Sequence, residues 1–237
     1  MPRLRNPFAT SIGSKTVMAI TGLLLFGFVL AHMVGNLQVF AGPAKLNAYA
    51  KTLQDLGPLL WVMRGGLLAI FLTHLYAAFS IWRANQAARP VAYVSAKPQI
   101  TTYAARTMVY GGLIVLAFVL FHLAHFTFGG VMPQYAHLED ALGRHDVYAM
   151  VVLGFRVPAI AISYVVAQAV LALHLSHGLS SAFQTLGVTH PRLAFLKAGG
   201  FGKAVAAVIF VGNISMPITA LLGGFHLPAE CAACGGR

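Results

Sequence analysis

Residues 107–130 read TMVYGGLIVLAFVLFHLAHFTFGG: no charged side chain, and two histidines, His122 and His125, towards the far end. A helix rises about 1.5 Å per residue, so about 20 mainly apolar residues cross a hydrocarbon core roughly 30 Å thick. This stretch is long enough to do so. It belongs to one of five windows without Asp, Glu, Lys or Arg, namely Thr16–Ala44, Gly65–Trp82, Thr107–Leu138, Val157–Pro191 and Ala204–Ala229. The second reaches full length if its helix starts near Pro58 and Arg64 snorkels to the interface. A membrane β-barrel would alternate apolar and polar residues in segments of about ten, whereas these runs are continuous. The sequence therefore predicts an all-α membrane protein. Its five transmembrane helices are expected at roughly 15–40, 58–84, 104–130, 147–183 and 201–224, in a single transmembrane domain over 1–237.

Composition agrees. Of 237 residues, 58% are apolar and 9% charged, with a mean hydropathy of +0.76. Soluble domains carry about 25% charged residues, so a soluble enzyme, a secreted disulfide scaffold and a disordered chain are excluded. The net charge of +11 is not a nucleic-acid signature, because such binders gather their basic residues on one polar face. Here they lie between the apolar runs. Arg3, Arg5 and Lys15 precede span I; Arg83, Arg89, Lys97 and Arg106 flank the second connection; Arg192, Lys197 and Lys203 flank the fourth. That is ten of the sixteen basic residues. By the positive-inside rule the N-terminus is cytoplasmic and the C-terminus external. Asp55, Glu139, Asp140, Asp146 and Glu230 all fall on the other side. The apolar run of span I exceeds the 7–15 residues typical of a signal-peptide core, so it reads as a retained helix.

The chemistry lies in the histidines. There are ten, and His32, His74, His122, His125 and His174 fall within spans, with His177 just behind. Ionisable groups in a bilayer are costly and usually functional. For any one of them, a neutral imidazole bonded between helices is the alternative; histidines on four successive spans favour a shared role. Spans I and III run outward, and His32, His122 and His125 come late in them. Spans II and IV run inward, and His74 and His174 lie in the cytoplasmic half. Depth thus gives an outer pair from spans I and III and an inner pair from spans II and IV, separated by something on the order of 10–20 Å. Two such pairs in a four-helix bundle of spans I–IV suit two bis-histidine haems b, imidazole being a common axial ligand of haem iron. Gly35, Ala77, Ala78 and Gly178 follow these histidines by three or four residues, on the same helical faces, which leaves room for a porphyrin. Ordinary small-residue helix packing has the same look. A zinc site would gather its ligands at one depth, and the absence of Cys-x-x-Cys-His excludes covalent c-type haem.

Several motifs carry a resemblance. SIGSKTVMAITG at 11–22 leads to HMVGNL at 32–37, then LNAYA at 46–50, GPLLWVMR at 57–64 and NQAARP at 85–90. FHLAHF at 121–126 and HLSHGLSSAFQTLG at 174–187 follow. Together they resemble the single-chain dihaem cytochrome b subunit of bacterial succinate dehydrogenase/fumarate reductase. The likeness covers about residues 10–190, and it rests on motif order and spacing. It implies a bacterial cytoplasmic-membrane anchor for a flavoprotein and an iron–sulfur subunit on the cytoplasmic side. That anchor would pass electrons from succinate to a membrane quinone, commonly menaquinone. Depth alone does not separate His122 from His125 or His174 from His177. The resemblance selects His122 and His174, so that His32 and His122 would hold the outer haem and His74 and His174 the inner.

Arg64, Arg156 and Asp55 stand at the external ends of spans as candidate contacts for haem propionates or quinone, because guanidinium suits anionic oxygens and a carboxylate serves proton transfer. Interfacial snorkelling and loop solvation are the alternatives. Asn36 and Gln38 lie in the same region. Cys231 and Cys234, in the C-terminal tail, carry no assigned role, and neither do His137, His145 and His190. Two other functions remain open: a haem b subunit of another dehydrogenase, such as hydrogenase or formate dehydrogenase, and a transporter with a histidine proton relay. The charge asymmetry makes one direct prediction. A reporter fused after Gly235 that works only when exported should be active, and a cytoplasmic signal there would reverse the orientation.

Overall fold

A computed structural model describes residue 8, residues 10–88 and residues 103–228. Arg3, Arg5, Arg89, Lys97, Glu230, Cys231 and Cys234 lie outside the described residues.

The described chain is helical. Helix α1 (Ser11–Asn36) runs on through a 3-10 turn at Leu37–Ala41 into α2 (Pro43–Gln54) and α3 (Pro58–Ala87). After α4 (Tyr103–Arg106) comes α5 (Met108–His122), which ends in a π-helical turn at Leu123–Thr127. Then follow α6 (Val147–Phe155), α7 (Pro158–Thr185), a 3-10 turn at Pro191–Lys197, and α8 (Gly199–Leu221). Among the described residues there is no strand, and one isolated bridge joins Glu139 to His145. Five segments are long and apolar enough to cross a membrane: Ser11–Ala41, Pro58–Ala87, Met108–Thr127, Pro158–Thr185 and Gly199–Leu221. The third is shorter than expected. The stretch expected as one helix over 147–183 divides at Arg156–Val157, because Pro158 has no N–H to continue α6 and suits the first turn of a new helix.

Local chemistry sets several boundaries. The Thr10 hydroxyl accepts from the Gly13 N–H at 3.0 Å and caps α1. Gly42, with φ of 91°, turns the chain before Pro43 opens α2. The Asp146 carboxylate accepts from the Ala149 N–H at 3.0 Å and caps α6, a cap worth about 1 kcal/mol.

The fold divides into two compact units, and most of the long helices contribute to both. The first comprises the described residues of Met1–Val29, Met63–Gly112 and Leu173–Ala206. Within it α8 approaches α7 closely: a Cβ on Gly202 would lie 2.3 Å from the Ser176 carbonyl oxygen. Small residues permit such approaches where no water competes. The Ser180 hydroxyl donates to the Ala198 carbonyl at 2.9 Å across the turn between these helices.

The second unit comprises Leu30–Val62, Leu113–Ala172 and the described residues of Ala207–Arg237. Its core gathers Val39, Leu46, Tyr148, Val152, Phe155, Tyr164, Met216, Ala220 and Phe225. Beside that core lies a polar knot centred on Asn47, which is 1% exposed. The Asn47 amide donates to Asp146 at 2.9 Å and to Asp140 at 3.2 Å, and its oxygen accepts from the Tyr148 N–H at 3.0 Å. Arg144 closes the knot on Asp140, with its guanidinium 2.7 Å away.

Partial burial pushes the Asp140 carboxyl up. The hydrogen bonds from the Arg144 side chain, the Arg144 and Leu142 N–H groups and Asn47 outweigh it and hold the group at about 2. A carboxyl held below its unfolded value near 4 stabilises the loop fully above that value, and the contribution is lost as pH falls through about 2. The Asp140→Asn variant should therefore be nicked by pepsin beside Leu142, which is 74% exposed, at a pH where the parent still resists. Equal cleavage of the two at pH 4 would show that the carboxylate does not hold the loop.

Candidate functional site

Each unit contains one pair of facing imidazoles. In the first unit the rings of His74 on α3 and His174 on α7 stand 6.5 Å apart, centre to centre, at 71°. In the second, His32 on α1 and His122 at the end of α5 stand 5.8 Å apart at 89°. These are the two pairs that helix direction predicts. Two imidazoles that shared one metal ion through bonds of about 2.0–2.1 Å, with ring bonds of about 1.33 Å, would stand roughly 6.3 Å apart, so each pair is spaced to hold such an ion. Either interplanar angle is compatible, because each ring contains its own nitrogen–metal axis.

Hydroxyl groups orient two of the rings. The Thr21 hydroxyl lies 3.1 Å from His74 Nδ1, and the Tyr164 hydroxyl lies 3.3 Å from His122 Nδ1. With Nδ1 so occupied, Nε2 is the nitrogen left for a ligand, the arrangement that outer groups impose on metal-binding histidines. His174 Nδ1 is buried with no hydrogen-bond partner. Among the described residues nothing satisfies that nitrogen.

The i, i+3 neighbours separate by environment. His125 is buried, stacked on Phe126 with ring centres 3.9 Å apart, and hydrogen-bonded through Nδ1 to the same Tyr164 hydroxyl at 3.0 Å. Its Nε2 edge fits against Gly154, where a Cβ would sit 3.1 Å away. His125 is thus enclosed by protein, while the ring facing His32 is that of His122. His177 is half-buried one turn beyond His174, and the ring facing His74 is that of His174.

The small residues behave differently from expectation. The space beside Gly35 is filled by Tyr49, whose hydroxyl oxygen lies 2.6 Å from where a Cβ would be, and Ala77 is fully buried. Gly178 does leave open space. A glycine the pattern missed, Gly22, lies against His74, with a Cβ position 3.3 Å from its Cε1.

The remaining candidates have local roles. Asp55 pairs with Lys51 on an exposed face of α2 and its cap. Arg156 caps α6 and donates to the Phe225 carbonyl at 3.0 Å. Arg64 is exposed on the second turn of α3. Among the described residues no group of three or more His, Cys, Asp or Glu is placed to hold a metal ion, so the candidate ligands come as pairs.

No family model, curated protein or solved structure matches this chain. The functional reading therefore rests on the paired imidazoles and on the motif resemblance.

The two histidines of FHLAHF make a test. Replacing His122 by Ala should remove one ligand-binding site from the purified protein, while His125→Ala should keep both, with lower thermal stability. The reverse result would make His125 the ligand.

Proposed function

We propose that this chain is the membrane-anchor cytochrome b subunit of a bacterial succinate:quinone oxidoreductase, resident in the cytoplasmic membrane. The observation that carries the haem reading is the facing of His32 with His122 and of His74 with His174, at 5.8 and 6.5 Å. The order of the motifs carries the choice of complex. They run from SIGSKTVMAITG through FHLAHF to HLSHGLSSAFQTLG, and this order favours a succinate dehydrogenase anchor over a hydrogenase or formate dehydrogenase subunit.

In this reading His74 and His174 hold the inner haem b, and His32 and His122 the outer. When bound, each haem supplies a one-electron carrier between an iron–sulfur donor and a two-electron quinone. The chain's own residues bind and orient. Neutral imidazoles offer bare nitrogens to iron, and the hydroxyls of Thr21 and Tyr164 hold two rings in place. The apolar spans keep water from both sites. The dicarboxylate chemistry belongs to the flavoprotein and iron–sulfur partners, because no flavin- or cluster-binding motif occurs in this sequence. The basic connections, including Arg83, Arg106, Lys197 and Lys203, face those partners on the cytoplasmic side.

At the external end a quinone, menaquinone by the resemblance, needs hydrogen-bond donors and a proton source. Asp55, Arg64 and Arg156 are the ionisable groups we assign to that end of the spans. Asp55 is exposed, where a carboxylate exchanges protons readily with solvent.

A pyridine haemochrome assay against protein mass should give two haems b per chain, with succinate reducing at least one of them in the purified complex. Zero haem would turn the reading towards a histidine-relay transporter. A haem protein that co-purifies with hydrogenase or formate dehydrogenase subunits would retain the cofactor and change the complex.

A further inference from the structure

The Thr21 hydroxyl has one proton to give and two lone pairs to receive with. Its oxygen lies 2.7 Å from the Val17 carbonyl and 3.2 Å from the Met18 carbonyl, both on its own helix α1. Carbonyls only accept, so while the hydroxyl donates to Val17, the nearer of the two, its proton is not available to His74. Towards His74 Nδ1, at 3.1 Å, the hydroxyl is therefore an acceptor, and Nδ1 carries a hydrogen. A charged imidazole is costly inside a span; the neutral ring with hydrogen on Nδ1 has its lone pair on Nε2.

Space follows the same logic. Thr21 is buried, and its neighbour Gly22 leaves the ring its place: a Cβ there would stand 3.3 Å from His74 Cε1, tight enough to make the ring give way. For His122 and His174 the same count gives no such answer. Tyr164 offers one hydroxyl to two imidazoles, at 3.3 and 3.0 Å, so the count does not choose between them. Among the described residues His174 Nδ1 has no hydrogen-bond partner.

We propose that Thr21, with Gly22 beside it, is the seat that positions His74, locking it with hydrogen on Nδ1 and Nε2 bare for haem iron. This rests on reading His74 as an inner-haem ligand. An acceptor on the far nitrogen raises the basicity of the ligating one, which favours oxidised iron. Thr21 is thus a positioning residue that lowers the inner haem's potential.

The test is a redox titration of the purified complex, followed by visible and electron paramagnetic resonance spectra, in the parent, Thr21→Val and Thr21→Ser proteins. The inner haem is assigned as the one lost from His74→Ala. Thr21→Val keeps the shape and removes the hydroxyl acceptor, leaving the Met18 carbonyl as the other group bonded to His74. It should retain both haems and raise the inner midpoint by about 59 mV, a tenfold change in the oxidised-to-reduced ratio for one electron. The outer midpoint should not move, and Thr21→Ser should behave as the parent. An unmoved inner midpoint in Thr21→Val overturns the proposal. So does a serine variant shifted as far as the valine one, which would make the effect packing alone. Should Thr21→Val fail to assemble, Thr21→Ala is titrated against the same outcomes. A parent protein without any haem spectrum overturns the haem reading itself; a parent with two haems and an insensitive inner potential overturns only the role of Thr21.

Discussion

A neutral imidazole has one nitrogen that donates and one that accepts, and a hydrocarbon layer has no water to satisfy either. Leaving a buried polar group unpaired costs about 1–3 kcal/mol. Every histidine in these spans is therefore a question of where two nitrogens go. The answers differ: His125 is enclosed by Tyr164, Phe126 and Gly154. His74 and His122 have one nitrogen held by a hydroxyl and face another imidazole. A histidine serving only as packing is expected to look like His125. The paired ones are the rings we propose to hold a ligand between them.

The membrane spans were legible in the sequence because hydrocarbon thickness sets a length and excludes charge, and both can be counted along a chain. The pairing of His32 with His122 and of His74 with His174 was legible for a related reason. Alternating helix directions convert position along each span into depth. The break of the fourth expected helix was signalled by Arg156 and Pro158, but the apolar runs on either side of them within 147–183 masked it.

What the sequence withheld depends on contacts between distant residues. Asn47 meets Asp146 across 99 positions and the Tyr148 N–H across 101, and nothing in a local pattern pairs them. Gly35 is small for Tyr49, although both lie within motifs that the sequence did single out. Thr21 and Tyr164 are hydroxyls within apolar runs. Which imidazole each one meets follows only from how helices pack, and a span with several small or hydroxylated residues offers many choices. His125 and His122 illustrate the same limit, since three residues on one helix leave both near one face. The difference between them arises from the π turn at Leu123–Thr127 and the packing of Tyr164.

The central claim is that the four histidines act as two pairs, each belonging to one haem. Spectra of oxidised and reduced protein from single alanine variants at positions 32, 74 and 174 test it most directly. The variants at 74 and 174 should lose the same spectral component, and the variant at 32 the other. Loss of one common component from the variants at 32 and 174 would contradict the pairing and, with it, the account of the site.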